Sequence, residues 1–310
     1  MKAVYLAKPT GPEGLIFGEL PDPRPNAGEV LVEVHATAIT PTEFAWFPTF
    51  KTRSGGPRAF PIILSHEFSG VVRGPGGGTA GLKAGDEVYG MNDWFVNGAQ
   101  AEYCVAPVSA VALKPSTLGH AAAAVAPISA LTAWQGLFDR CKLQAGERVL
   151  IHGGAGGVGL FAVQLAHWRG AYVVATASTR NLDFVNSLGA DEEIDYKAAR
   201  FEQLARDIDV VFDTVGGETL ERSWAVLRPG GRSVTIAAQS ETVTDQRVHD
   251  AFFIVEPNQK QLTAIARLLD GGIIRAFMEA EFPLNEAQKA YARAQRGGMR
   301  GKVVLVEQVN

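Results

Sequence analysis

Residues 148–168 read RVLIHGGAGGVGLFAVQLAHW. Residues 148–152 form an apolar run typical of a buried strand, and residues 158–168 place apolar side chains on one helical face. Between them, Gly154, Gly156 and Gly159 have the spacing G-x-G-x-x-G. A turn without side chains lets an anion approach the backbone, and the free N–H groups and dipole of a helix N-terminus attract that anion. This stretch therefore predicts the pyrophosphate-binding turn of a dinucleotide site.

The backbone of this turn is the first part of the predicted cofactor site. Its residues are Gly154, Ala155, Gly156, Gly157, Val158 and Gly159. Two alternatives stay open from the motif alone, namely a glycine turn without a ligand and a methyl-donor nucleotide site. The second alternative would require an acidic residue at the end of the following strand, where it would hold a ribose diol.

The following strand, predicted over residues 172–176, has no acidic residue at its end. The first carboxylate after it is Asp183, whereas an NAD site usually places one about 20 residues after the glycine motif begins. The segment instead offers neutral donors and one planar cation, which suit a 2′-phosphate. These residues are Ser178, Thr179, Arg180 and Asn181. They predict NADPH as the cofactor, with a solvated Arg180 and a helix-capping Asn181 as the alternative.

The second half of the chain alternates helices with continuous apolar runs. Further strands are predicted over residues 209–213 and 232–236, and a helix is predicted over 181–188. Strands buried on both faces and separated by helices indicate an α/β fold with a doubly wound parallel sheet. Closer to the C-terminus, we expect a strand near 273–278, a helix from Asn285 and a last strand over 302–306.

The first third of the chain is β-rich instead. Residues 30–36 alternate apolar and polar side chains, as a half-buried strand should, and proline and glycine punctuate the flanking sequence. Short strands between such turns predict an antiparallel barrel or sandwich.

Length and composition limit the class of protein. The 310 residues are enough for about two domains. A net charge of -4 gives no reason to expect a nucleic-acid or anionic-membrane partner. The cysteines Cys104 and Cys141 are too few for a disulfide framework, so we expect a reducing, cytoplasmic compartment. Residues 120–138 carry no charge, but their many alanines and Pro127 predict a pair of buried helices and no membrane span.

Several short motifs follow one another along the whole chain. They are Leu64-Ser65-His66-Glu67-Phe68-Ser69-Gly70, Gly85-Asp86-Glu87-Val88, Gln100-Ala101-Glu102-Tyr103, Leu131-Thr132-Ala133-Trp134, the glycine turn, Leu188-Gly189-Ala190-Asp191, Asp213-Thr214-Val215-Gly216-Gly217 and Arg300-Gly301-Lys302-Val303-Val304-Leu305. In this order and spacing they resemble the medium-chain dehydrogenase/reductase superfamily, and within it the zinc-independent branch of quinone oxidoreductases and enone reductases.

This resemblance implies a domain organisation and a biochemical role. It implies a GroES-like β-barrel catalytic domain formed by residues 1–118 and 266–310, and a Rossmann NADP-binding domain formed by residues 119–265. It further implies a homodimer, a tyrosine near the 2′-phosphate at Tyr196, and hydride transfer from NADPH to a small quinone or α,β-unsaturated carbonyl.

The resemblance also locates the metal position of the zinc-binding relatives. Here the segment 39–43 has no cysteine, and the segment 126–129 offers no third ligand, so only His66 remains. Three protein ligands are the minimum for catalytic zinc, and we therefore expect no metal. His66 is interpreted as a hydrogen-bonded histidine near the barrel, with a proton donor as the alternative.

Hydride transfer to a carbonyl or quinone requires a hydrogen-bond donor for the oxygen that gains charge. The predicted hydroxyl donors are Thr40, Thr42 and Thr132. The predicted walls for a flat apolar substrate are Phe44, Trp46, Phe47 and Trp94, and packing in the barrel core is the alternative for some of them. Relatives often have Asn-Pro-x-Asp where this chain has Thr40-Pro41-Thr42-Glu43. Two other functions stay open, a zinc-type alcohol dehydrogenase and a catalytically weak, NADPH-binding redox sensor.

Overall fold

The computed structural model describes residues 1–77, 81–237, 240 and 243–307. Its strands are β1 (Lys2–Leu6), β2 (Leu15–Glu19), β3 (Glu29–Ala38), β4 (Ile62–Ile63), β5 (Glu67–Pro75), β6 (Glu87–Met91), β7 (Tyr103–Pro107), β8 (Val111–Leu113), β9 (Arg148–Ile151), β10 (Tyr172–Ala177), β11 (Glu192–Asp195), β12 (Ile208–Asp213), β13 (Leu227–Thr235), β14 (Met278–Pro283) and β15 (Lys302–Val306).

The helices lie mostly in the second half of the chain. They are α1 (Phe47–Phe50), α2 (His120–Ala124), α3 (Pro127–Trp134), α4 (Gly159–Trp168), α5 (Leu182–Asn186), α6 (Phe201–Leu204), α7 (Glu218–Ser223), α8 (Gln246–Ala251), α9 (Gln259–Asp270) and α10 (Ala287–Gln295). A π-helical turn, Gln135–Arg140, continues α3.

The chain divides into two compact units. The first unit comprises Met1–Leu131, Glu256–Gly272 and the C-terminal stretch from Ala276, and the second comprises Thr132–Val255 and Ile273–Arg275. The first unit is therefore assembled from sequence-distant segments, and the second is nearly continuous.

The first unit is built mainly from antiparallel strands, with one parallel pair, β14 and β15, at the edge of its larger sheet. Seven described strands form one sheet, in the order β14-β15-β3-β5-β6-β8, with β7 also paired to β3. A smaller sheet has the order β2-β1-β4. Strand β3 carries the predicted alternation, because Val30, Val32 and Val34 are buried while the residues between them are partly exposed. The sequence correctly predicted this strand.

The second unit is a parallel sheet with the strand order β11-β10-β9-β12-β13. All of its pairings are parallel, and helices connect successive strands. Every residue of β12 is buried, as expected for a strand covered on both faces, and its apolar residues Val210, Val211 and Phe212 lie between the buried Asp209 and Asp213. The order reverses at β9, and ligands of open α/β sheets bind at the carboxyl end of the strands at such a point.

One predicted strand is wrong in its position. We expected a strand near 273–278, but the strand is β14, Met278–Pro283, which pairs parallel to β15. The backbone of Arg275 is already bonded to Gln164, whose side chain accepts from Arg275 N at 2.8 Å and donates to Arg275 O at 3.1 Å. A backbone held by a side chain in this way is not available for a strand ladder.

The helical stretch His120–Arg140 is the candidate membrane span of the described chain by length and apolar composition. Within its most apolar window, 78% of the residues are buried inside the fold. Pro127 begins α3 after a break that follows Ala124, so two short helices replace one long helix.

Candidate active site

The glycine turn joins β9 to α4 and has little room for side chains. A Cβ atom on Gly159 would lie 2.1 Å from Gly153 O, and one on Gly153 would lie 2.5 Å from the Thr214 hydroxyl. Gly153 also has a φ of +71°, which favours glycine. Gly156 is different, because its Cβ would meet only Gly153 O, at 3.3 Å. Gly153 and Gly159 thus stand where a side chain would clash with the fold, whereas a side chain at Gly156 would extend into open space beside the turn.

The turn presents unpaired donors. Gly156 N donates to Gly153 O at 2.9 Å, but the N–H groups of Gly157, Val158 and Gly159 have no acceptor within the described part of the chain. These residues stand at the N-terminus of α4, where the helix dipole is positive. Gly156, Gly157 and Val158 are also partly exposed. Open amides at a positively polarised helix end fit the pyrophosphate of a dinucleotide.

His152 connects this turn to the interior of the second unit. It is 1% exposed, with Thr176 Oγ1 at 3.2 Å from Nδ1 and Ser223 Oγ at 2.8 Å from Nε2. Ser223 donates to Thr219 O, and Thr176 Oγ1 accepts from Gly153 N. Burial away from water lowers the pKa of His152 to about 3, with the Arg222 charge as a smaller cause. The imidazole is therefore neutral at pH 7, and its chain of hydrogen bonds holds Gly153 in place.

The carboxyl end of β10 carries the predicted 2′-phosphate residues. Ser178 is partly exposed, Thr179 and Arg180 are exposed, and Asn181 is buried. Tyr196 follows β11 and is 56% exposed. The structure brings these residues to the ends of two adjacent strands, because Ala177 of β10 is paired with Asp195 of β11.

The same register introduces a carboxylate that sequence analysis missed. Asp195 accepts a hydrogen bond from the Thr179 hydroxyl at 2.6 Å. This bond, together with one from Lys197 N, lowers the pKa of Asp195, so the group is ionised at neutral pH. Parallel neighbours end at the same edge of a sheet, and that rule was the available signal. A negative charge thus stands beside the segment that we assigned to a phosphate.

In the first unit, Thr40 lies just beyond β3 and accepts a hydrogen bond from Lys302 Nζ at 3.2 Å. Lys302 is 7% exposed and forms an ion pair with Glu67, which is fully buried. Glu67 also accepts from Ile128 N at 2.9 Å. Burial raises the pKa of Glu67, while the Lys302 charge opposes that shift. Thr42 is exposed, and Thr132 lies on α3 of the second unit, 4% exposed.

His66 and Glu43 form a second buried pair in the same unit. His66 Nδ1 lies 2.5 Å from Glu43 Oε1, and His66 Nε2 lies 3.0 Å from Val96 O, to which it donates. Glu43 also accepts from Ser65 N at 3.1 Å. Nε2 of His66 is therefore occupied by a protein acceptor, whereas the buried Nδ1 lies close to Glu43 without making a hydrogen bond. No group of three or more His, Cys, Asp or Glu side chains in the described ranges is placed to hold a metal ion.

The predicted substrate walls separate into different environments. Trp46 and Trp94 face each other with ring centroids 4.6 Å apart, and Trp94 lies 5.0 Å from the His66 ring. Phe47 is 46% exposed and contacts Phe95. Phe44 instead packs against Tyr291 in the hydrophobic core, with centroids 5.0 Å apart. Trp94 is only 6% exposed and packs against Trp46 and His66. The half-buried Trp46 and the exposed Phe47 therefore form the accessible aromatic surface of this region.

An α/β unit of dinucleotide-binding topology and a mainly antiparallel β unit in one chain define the class of two-domain dehydrogenases and reductases. Residues 26–116 match the alcohol dehydrogenase GroES-like domain family, and residues 188–305 match the zinc-binding dehydrogenase family. The chain belongs to the medium-chain dehydrogenase/reductase superfamily, in its quinone oxidoreductase branch, and is an oxidoreductase. The predicted family and fold class are confirmed.

Individual relatives show how far the similarity extends. The chain is 33% identical to a probable zinc-binding mitochondrial oxidoreductase of Arthroderma benhamiae, over 92% of this chain and 91% of that protein. It is 35% identical to the 2-methylene-furan-3-one reductase of Solanum lycopersicum, over 89% of this chain and 71% of that protein. The structure of the quinone oxidoreductase from Coxiella burnetii superimposes with a TM-score of 0.90, at 30% identity and 99% coverage of both chains.

Proposed function

We propose that this chain is an NADPH-dependent reductase of quinones or α,β-unsaturated carbonyls that works without zinc. The observation that carries the proposal is the glycine turn, whose N–H groups at Gly157, Val158 and Gly159 are available to a pyrophosphate. The names of the tomato and Coxiella relatives, an enone reductase and a quinone oxidoreductase, support the substrate class.

The second unit would hold the nicotinamide dinucleotide. The open amides of the glycine turn would bind the pyrophosphate, and Ser178 and Arg180 would bind the 2′-phosphate, with Tyr196 beside it. The bound cofactor supplies a hydride. The chain's own task is then to position an acceptor, exclude water and donate a hydrogen bond to the acceptor oxygen.

Thr40 is the hydroxyl best prepared for that donation. Because Lys302 Nζ donates to Thr40 Oγ1, the lone pair of this oxygen is engaged and its own O–H remains to donate. The ammonium group polarises the hydroxyl, and its ion pair with Glu67 keeps the lysine in place. Trp46 and Phe47 provide flat apolar surfaces for a quinone or enone ring, and the buried Trp94 packs against Trp46.

The proposal that no zinc takes part rests on His66. A histidine binds zinc through a ring nitrogen with a free lone pair. Here Nε2 carries the proton that it donates to Val96 O. The other nitrogen, Nδ1, is buried without a hydrogen bond and lies 2.5 Å from Glu43 Oε1, which leaves no space for a zinc ion between the two atoms. The description of the matching family as zinc-binding favours the alternative of a zinc-type alcohol dehydrogenase, but that function would require His66 to leave both partners.

We also propose that the protein works as a homodimer in the cytoplasm. Its thiols support a reducing compartment, since Cys104 and Cys141 are free and buried. Burial raises the pKa of Cys141 to about 12, which leaves the thiol protonated.

The deciding experiment measures two reactions. NADPH oxidation is followed with a panel of quinones, enones and ketones, and NADP⁺ reduction is followed with primary alcohols. We expect turnover with quinones or enones that survives a chelator. Binding of NADPH without turnover on any member would favour the redox-sensor function. Alcohol oxidation that is lost on chelation would overturn the proposal in favour of the zinc enzyme.

A variant test addresses Thr40. Thr40→Val keeps the shape of the side chain and removes the hydroxyl, and we expect kcat to fall by roughly a hundredfold, the lower end of the range for the loss of one hydrogen-bond donor to a developing oxyanion. Lys302→Arg keeps the charge and should retain most activity, whereas Lys302→Met should resemble Thr40→Val. A Thr40→Val enzyme with the wild-type kcat and pH profile would remove Thr40 from the mechanism.

A further inference from the structure

The second unit has a groove that the proposed reaction does not use, with a volume of about 310 Å³. Its apolar walls are Trp134, Phe138, Leu143 and Trp168, and its polar lining consists of Lys142, Gln144 and Arg169. We call it the aromatic groove. Its volume lies at the lower end of the range for small-molecule sites, roughly 300–1,000 Å³.

Three rings give the groove its shape. Trp134 and Phe138 stand at 89° to each other with centroids 5.2 Å apart, and Trp168 lies 6.1 Å and 6.2 Å from them. Trp168, the last residue of α4, is 42% exposed, which is a large fraction for a tryptophan side chain. Edge-to-face rings with exposed faces offer stacking surface to a planar molecule.

The backbone around the groove is also unusual. The π-helical turn Gln135–Arg140 changes the direction of Phe138 relative to a regular helix, and Lys142 has a φ of +51°, which non-glycine residues rarely adopt. Such irregularities concentrate at binding sites. Both Phe138 and Lys142 line the groove.

The charges of the groove have one sign. Lys142 and Arg169 line it, and no carboxylate belongs to the lining that the structure describes. Arg169 lies over the Phe138 ring at 6.0 Å from its centroid. The nearby Glu147 is occupied by Arg232, which contacts both of its oxygens at 2.7–2.8 Å. The groove therefore complements a negative charge next to an apolar ring.

The aromatic groove is separate from the pyrophosphate turn. Helix α4 begins at Gly159, next to the turn, and ends at Trp168, in the groove. Nine helical steps separate them, or about 14 Å along the axis.

We propose that the aromatic groove binds a small planar aromatic anion, such as an aryl carboxylate, by stacking against Trp168 and ion pairing with Lys142 and Arg169. The occupant is a small molecule because three rings within 6.2 Å of each other leave a pocket of ligand size. An aryl cation is disfavoured by both charged residues.

Three naphthalene probes of equal ring size test the chemistry. They are 2-naphthoate, the neutral 2-naphthylmethanol and a 2-naphthyl trimethylammonium salt, each titrated by calorimetry into the wild-type protein with and without NADPH. We expect naphthoate to bind at least tenfold more tightly than the alcohol, with no dependence on NADPH. Equal affinity of the three probes, or preference for the cation, would overturn the proposal.

Variants locate the binding. Trp168→Ala should weaken naphthoate at least tenfold, and Lys142→Met combined with Arg169→Met should remove the preference over the alcohol. Trp224→Ala is the matched control, a tryptophan of the same unit that stacks under Arg247 instead, and should bind naphthoate as the wild type does. Circular dichroism checks the fold, and Trp168→Leu replaces the alanine variant if that variant unfolds. Unchanged affinity in the folded Trp168 variant would place the ligand elsewhere.

Discussion

His152 shows how one buried side chain beside the cofactor turn makes the stability of the fold depend on pH. Its neutral ring accepts from Thr176 and donates to Ser223, and Thr176 in turn holds Gly153 N. Protonation would leave a buried charge whose two hydrogen-bond partners are hydroxyl groups, which explains the pKa of about 3. The group therefore stays neutral in the folded state across the physiological range.

The consequence is acid sensitivity. In the unfolded chain His152 titrates near pH 6.5, so below that pH the unfolded state binds a proton that the folded state refuses, and stability falls as the pH decreases toward 3. The slope is about 1.4 kcal/mol per pH unit at most. Between pH 7 and pH 5, wild type should lose about 2 kcal/mol more unfolding free energy than His152→Gln. Parallel losses in urea titrations of both proteins would contradict this account.

Arg180 and Asp195 carry opposite charges at the predicted 2′-phosphate position. A hydrogen bond to a charged group contributes roughly 1.5–3 kcal/mol, so Arg180 should favour NADPH over NADH by roughly ten- to a hundredfold. Arg180→Ala should remove most of that preference and its salt dependence. Asp195→Asn should increase the preference for NADPH, because it removes the negative charge beside Thr179. The dissociation constants of NADPH and NADH are measured for the wild type and each variant. If Arg180→Ala lost affinity for both cofactors alike, Arg180 would have a structural role and would not recognise the 2′-phosphate.

At the scale of the element, the strand–turn–helix segment 148–168 contains glycines with two different roles. Gly159 has no room for a Cβ atom, since it would lie 2.1 Å from Gly153 O, whereas Gly156 has only one neighbour, at 3.3 Å. Gly159 thus serves the packing of α4 on the turn, and Gly156 keeps the outer side open for a ligand.

A matched pair of substitutions separates these roles. Gly156→Val should abolish NADPH binding, because the valine side chain would occupy the position proposed for the pyrophosphate. The melting temperature should change little, because this side chain would have only one close neighbour in the fold. Gly159→Val should lower the melting temperature by several degrees and reduce binding as a result, since a core-type clash costs about 1–3 kcal/mol. Thermal melts and NADPH titrations of both variants provide the measurement. Wild-type affinity in Gly156→Val would show that the cofactor lies elsewhere.

At the scale of the whole molecule, the metal content separates the proposed enzyme from the zinc-binding part of its superfamily. Protein purified without added metal should contain well under one zinc per chain by elemental analysis, and a chelator should leave its reductase activity unchanged. The physical basis is that His66 Nε2 donates to Val96 O and that Glu43 Oε1 lies only 2.5 Å from Nδ1, too close for an ion between them. Stoichiometric zinc that is removed together with activity would contradict it.

Much of the fold was predictable from the sequence, and less of the site. The strand alternation over 30–36 and the helix after Gly159 follow from patterns of contiguous residues, and both are found in the structure. The strand expected near 273–278 lies at Met278–Pro283 instead, because Gln164, more than a hundred residues earlier, binds the backbone of Arg275. No local pattern contains that information.

The sequence by itself determined the α/β fold class, the parallel second unit and the glycine turn at the start of α4. Those features depend on periodicity and spacing within about 20 residues, which a linear sequence displays directly. The tertiary structure alone decided that Asp195 meets Thr179 across 16 positions and that Lys302 reaches Thr40 across 262. The physical reason is the register and order of the strands, which determine which distant side chains lie at the same end of neighbouring strands. Hydrogen bonds and charge interactions act only between groups that folding brings together.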